Sequence, residues 1–161
     1  MRVLILGLAA AGLLAGCDQN KPQVVVSQNG TTASVSGNGQ HITVTDAKTK
    51  ETVNYSSNGL NGASLPAFVP IYPGGKVTTS VVGSGSSNGG TVVIETQDSP
   101  DAVIAFYKQK SAASGFTETA NMNMNGMQMF TATADSSKKT LQVMASNQSG
   151  KTQAQIIWGQ K

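Results

Sequence analysis

The chain has 161 residues, with 11 Lys+Arg against 8 Asp+Glu, one His and one Cys. A lone Cys excludes an intrachain disulfide and a cysteine-built zinc site. One His, with no Arg after Arg2, argues against His-ligated metals, His-based general catalysis and guanidinium phosphate clamps.

Arg2 precedes an apolar run from Val3 to Leu14. That run is too short for a permanent membrane span, which needs roughly 20 apolar residues. It fits a secretory h-region, and the small residues Ala15 and Gly16 before Cys17 fit a cleavage site. The string Leu14-Ala15-Gly16-Cys17 resembles the lipobox of bacterial lipoprotein precursors. The resemblance implies that the Cys17 thiol takes a diacylglyceryl group, that cleavage falls before it, and that the new amino terminus is acylated. A plain signal peptide that happens to precede a cysteine is the bland alternative. Two or three acyl chains, at ~0.8 kcal/mol per buried CH₂, hold a protein on a membrane almost permanently.

Asp18 and Gln19 follow the cysteine, and in enteric bacteria an Asp there resembles an inner-membrane retention signal. Inner and outer membrane both stay open. The expected location is the bacterial cell envelope, with the domain facing the periplasm. Residues 1–16 are then a signal peptide and 17–23 a lipidated tether. Lys21-Pro22 discourages regular structure there, and six extended residues reach only ~20 Å. Without residues 1–16, ten lysines face eight acidic residues. Such a balance, scattered along the chain, does not make a nucleic-acid binder. Lys108/Lys110 and Lys138/Lys139 suit anionic lipid headgroups at most.

Residues 24–62 carry apolar pairs at Val24/Val26, Ala33/Val35, Ile42/Val44 and Val53/Tyr55, separated by turn formers such as Gly37-Asn38-Gly39 and Asp46-Ala47-Lys48. This reads as short strands, either a β-meander or the rungs of a small solenoid. So few apolar side chains cannot build a core alone, so the segment must pack on its neighbour or stay loose. Residues 63–75 form a Pro/Gly strap whose Phe68, Val69 and Tyr72 are expected to tuck against the next unit, with a type II turn at Pro73-Gly74.

Residues 76–161 read as an α+β domain. Val77/Thr79/Val81 and Val92/Ile94 flank a flexible loop over Gly83–Gly90. Ser99 caps a helix with Pro100 in its first turn, Ala102, Val103, Phe106, Tyr107 and Ala113 on its inner face, and Gly115 at its end. Four strands follow at Phe116–Asn123, Met127–Ala134, Lys139–Ala145 and Thr152–Trp158. The expected class is α+β: a mostly antiparallel sheet with one covering helix (ββαββββ), preceded by a β-rich segment with Asn/Gly turns. The stretches Val69–Gly74 and Ser99–Tyr107 resemble uncharacterised envelope lipoprotein domains, a likeness that carries no site residues.

Four methionines, Met122, Met124, Met127 and Met129, surround Asn125-Gly126. Thioether sulfur is a soft ligand for Cu(I) or Ag(I) and works where thiols would be oxidised. A two-residue turn puts all four on one face, whereas a three-residue loop sends Met122 to an apolar face away from Met127 and Met129. Core filler or hairpin surface is the plainer role. His41 has no second His or Cys to share a metal, and the Gly83–Gly90 loop lacks a phosphate-loop ending. Glu95, Asp98 and Asp101 before the helix are expected to cap and solvate it.

The function expected from these residues is a membrane-anchored, non-enzymatic envelope lipoprotein with no cofactor beyond the lipid on Cys17. It would bind or support an envelope protein or cell-wall component, and no nucleic acid. The alternative is a lipoprotein binding Cu(I) or Ag(I) through the methionine hairpin.

Overall fold

The structure, a computed structural model, describes residues 23–26, 30–85 and 88–160. Residues 1–22, which include Cys17, Asp18 and Gln19, lie outside the described residues, as do 27–29, 86–87 and 161.

Ten strands form one antiparallel sheet: β1 (Gln23–Val26), β2 (Thr31–Ser36), β3 (His41–Asp46), β4 (Thr52–Ser56), β5 (Lys76–Ser84), β6 (Asn88–Thr96), β7 (Thr117–Met124), β8 (Met127–Ala134), β9 (Lys139–Gln148) and β10 (Lys151–Gln160). Helix α1 (Pro100–Ala113) stands between β6 and β7. Across the sheet the order is β1-β2-β3-β4-β5-β6-β10-β9-β8-β7. Two meanders are therefore stitched together at β6 and β10, with α1 carrying the chain over one face to the far edge.

The expected α+β class is corrected. Among the described residues a single 14-residue α-helix accompanies ten strands, so they are dominated by one antiparallel sheet. The β-rich segment does not precede that sheet but is part of it, because β4 pairs with β5 through Tyr55↔Val81 and Ser56↔Ser80. Its neighbouring strands pair as antiparallel hairpins, which rules out solenoid rungs. A strand with too few apolar side chains to bury can still satisfy its backbone by extending an existing sheet edge.

Helix α1 starts and stops where local chemistry dictates. Ser99 Oγ accepts a hydrogen bond from the Ala102 amide at 3.3 Å, and Pro100 fills the position whose N–H would have no partner. At the other end the Gly115 and Phe116 amides donate to the Ala112 and Ser111 carbonyls, a Schellman pair. The buried face is Val103, Ile104, Tyr107 and Ser111. Ala102 and Ala113 are exposed and Phe106 half-buried, so the inner face is rotated from the one expected. Helix α1 packs mainly on β8 and β9, and that docking turns Ile104 and Ser111 inward in place of Ala102 and Ala113.

The strap does tuck. Val69 is fully buried and Phe68 and Tyr72 nearly so. Phe68 and Phe116 stack with ring centroids 5.2 Å apart, and the Tyr107 hydroxyl donates to the Pro70 carbonyl at 3.0 Å. The Gly75 amide donates to the Tyr72 carbonyl at 2.9 Å and closes the Pro73-Gly74 turn. Strap and helix together cover one face of β5–β10, burying Ile94, Phe130, Leu141, Val143, Ile156 and Trp158 among others. Each such side chain contributes roughly 1.5–3 kcal/mol by leaving water.

The flexible loop expected over Gly83–Gly90 is shorter than the glycines suggest. Gly83 and Ser84 end β5, while Gly89 and Gly90 lie in β6 paired with Gly159 and Trp158. Glycine here makes room for the Trp158 ring.

Beyond β5 the apolar and polar faces exchange sides. Register places Ala33, Val35, Ile42, Val44, Val53 and Tyr55 on the face opposite the helix. The helix side of β2–β4 carries hydroxyls, an amide and the His41 imidazole instead, beside Ser80 of β5. Thr43 Oγ1 donates to Asn54 Oδ1 at 2.9 Å, and Ser80 Oγ to the Gly59 carbonyl at 2.8 Å.

Candidate functional site on the uncovered sheet face

Among the described residues nothing covers the second face of β5–β10. Side-chain alternation builds that face. Phe130 and Ala132 of β8 and Val143 and Ala145 of β9 point into the core, so Met127, Met129 and Met144 point away from it. A two-residue turn at Asn125-Gly126, with φ of 49° and 81°, sets Met124 opposite Met127 and Met122 opposite Met129. These are the angles of a type I′ turn, whose twist suits a tight hairpin. The three-residue register is thereby excluded.

Strand β9 adds a methionine that sequence spacing did not bring into the group. Met129 pairs with Met144, giving a lateral row of Met122, Met129 and Met144 on three adjacent strands. Directly opposed Cβ atoms in such pairs stand about 4.5–5.5 Å apart. Every methionine after Met1 belongs to this group, and the buried core has none. Met122, Met124 and Met127 are 45%, 56% and 44% exposed, so core filler is corrected as a role for them. Gln142 Nε2 donates to Met129 Sδ at 3.3 Å, so that sulfur already accepts one hydrogen bond, which an incoming ligand would replace.

Next to the methionines the face dips into an open trough of about 350 Å³, lined by Met127, Met144, Gln153, Gln155, Val93 and Thr79 among others. Gln155 continues the Met144 row and pairs onward with Val93. The trough lining therefore combines amides and hydroxyls with two thioethers and the aliphatic Val93. The nearest acid in register is Glu95, which Lys151 engages at 2.7 Å.

The remaining candidates are scattered. His41 Nδ1 lies 2.9 Å from Ser56 Oγ, on the helix side of the sheet. Asp98 accepts the Tyr72 hydroxyl at 2.7 Å, which with burial pushes that phenol above its ordinary value. Asp101 accepts from the Gln128 side chain. Glu95, Asp98 and Asp101 thus serve three different partners. Among the described residues no three His, Cys, Asp or Glu side chains form a group able to hold a metal. Lys108 pairs with Glu118 at 3.3 Å, while Lys110 and Lys139 lie over the Phe106 and Phe68 rings.

This six-strand and one-helix frame is the part of the chain that a family model matches. Residues 76–155 match the family model described as START domain-like. No curated protein and no solved structure matches the chain significantly. The matched segment runs from β5 into β10, so it contains the helix, the methionine hairpin and the whole trough. The match includes Ser99–Tyr107, one of the two stretches that resemble uncharacterised envelope lipoprotein domains, and not Val69–Gly74. The meander β1–β4 lies outside it.

Proposed function

We propose that the protein is a membrane-anchored, non-enzymatic envelope lipoprotein that binds or supports another envelope component through the uncovered face of its sheet. Its anchor is the lipid on Cys17, and its domain faces the periplasm. The observation that carries the reading is the pairing of a lipobox-like Leu14-Ala15-Gly16-Cys17 with a first strand that begins at Gln23. Cys17 to Pro22 reach only ~20 Å, so the β1 edge of the sheet is held close to the bilayer and the methionine edge stands about 40 Å across the sheet from it. Support also comes from the exposed apolar groups of that face, Val53 and Val81 at one end and the methionines at the other. Exposed thioethers adapt to partners of varied shape at low conformational cost.

Two measurements test it. Cys17→Ser should leave the chain unprocessed or move it out of the membrane fraction; normal processing and fractionation would refute the anchor. A photo-crosslinking side chain at Gln155 in intact cells should trap one reproducible envelope component, while the same group at the exposed helix position Gln109 should not. Failure to trap a reproducible species at Gln155 would remove the binding role.

A further inference from the structure

We propose that Met122, Met129 and Met144, with Met124 and Met127 beside them, form a thioether site for a soft monovalent d¹⁰ cation, Cu(I) in the cell and Ag(I) as its stand-in. The inference rests on reading the uncovered face as the working surface and names its ligand.

Three observations carry it. The first is segregation: all five methionines after Met1 fall on one face of three adjacent strands, and the core contains none. Filling a core does not require that arrangement, because Met is the most adaptable apolar filler and belongs where packing is irregular. The second is reach. Met122 and Met144 each start about 5 Å from Met129 and about 10 Å from one another, so Met129 is the central ligand and the rotatable bonds of the outer two must carry their sulfurs inward to meet its ion. Met122, Met129 and Met144 are opposed in sequence across β7, β8 and β9. The third is selectivity by donor type. Hard and borderline cations need oxygen or imidazole ligands, and no group of three His, Cys, Asp or Glu exists among the described residues. Neutral thioethers favour a soft ion of low charge. Glu95, the nearest acid in register, is already engaged by Lys151.

The test uses the full-length chain carrying Cys17→Ser, purified in detergent, so that no thiol competes. Silver nitrate is titrated in chloride-free buffer and followed by calorimetry and by the methionine methyl resonances. One equivalent should bind, shifting the methyls of Met122, Met129 and Met144 most. The Met122→Leu/Met129→Leu/Met144→Leu chain should bind at least about tenfold more weakly, or ~1.4 kcal/mol. If that triple variant misfolds by circular dichroism, Met122→Leu/Met124→Leu, confined to the exposed edge strand, should still lower affinity severalfold. Silver binding that is absent from the parent chain, or undiminished in the folded variants, overturns the site. Crosslinking at Gln155 is independent of silver. A trapped partner on a chain that binds no silver would leave the face its role and remove only the metal.

Discussion

The Trp158 ring fills the space where a side chain on Gly90 would stand. A Cβ built on Gly90 would lie 2.5 Å from Trp158 Cζ2 and 2.4 Å from the Val81 carbonyl oxygen. Gly90 and Trp158 are also direct cross-strand partners at the β6–β10 seam, where the two meanders join. Gly90→Ala must therefore displace either a nearly buried indole or a ladder carbonyl. Overpacking of this kind costs roughly 1–3 kcal/mol. Urea unfolding should show a midpoint lowered accordingly; an unchanged midpoint would contradict the seating of the ring.

Tyr107 ties the strap to the helix. Its ring is fully buried and its hydroxyl donates to the Pro70 carbonyl at 3.0 Å. Tyr107→Phe keeps the packing and leaves that carbonyl without its donor, at a cost of about 1–3 kcal/mol. Limited proteolysis should then cut between Leu65 and Gly75 sooner than in the parent chain. Equal cutting rates would show that packing alone holds the strap.

Two tyrosines set an alkaline limit. The hydrogen bond from Tyr72 to Asp98, followed by burial, raises the Tyr72 phenol above its ordinary 10.0. Burial raises Tyr107 above the same value. The unfolded chain therefore loses these protons first. The stability they supply is whole below pH 10 and falls as pH rises past it toward the folded values. Unfolding midpoints followed from pH ~8 to ~11 should drop in the upper part of that range, less steeply in Tyr72→Phe. A flat profile would mean that neither phenol is held neutral by the fold.

Gly126 holds the methionine register. Its φ of 81° is left-handed, and a Cβ there meets nothing within 4 Å, so the cost of Gly126→Ala is backbone strain alone. That strain is about 1–2 kcal/mol. The variant should unfold at lower denaturant and show weaker contacts between the Met122 and Met129 methyls in nuclear Overhauser spectra. Full retention of both would deny the turn its role.

Much of the local structure was legible because short-range chemistry writes it. Ser99, Pro100 and Gly115 bounded the helix, Asn125-Gly126 marked the hairpin, and the prolines kept the strap out of helix, though it closes two turns, Pro66–Val69 and Tyr72–Gly75, instead of running extended. The glycines before Val92 misled for a physical reason. Glycine in a loop and glycine under a tryptophan look identical until the partner strand is known, and that partner lies far along the chain at Trp158. The helix face was misjudged similarly, since Val103, Ile104, Tyr107 and Ser111 fit helical spacing as well as a face with Ala102 and Phe106 does, and only docking on the strands and strap chooses between them.

By itself the sequence determined the turns, the caps and the supply of methionines. These depend on residues a few positions apart, where covalent geometry and local hydrogen bonds suffice. Only the tertiary structure decided that the N-terminal strands extend the same sheet, that α1 and the strap share one face, and that Met144 joins the hairpin methionines on the other. Strand pairing is a long-range contest among many near-equal registers. It is settled by which arrangement buries Phe130, Leu141, Ile156 and Trp158 together, and no local window contains that sum.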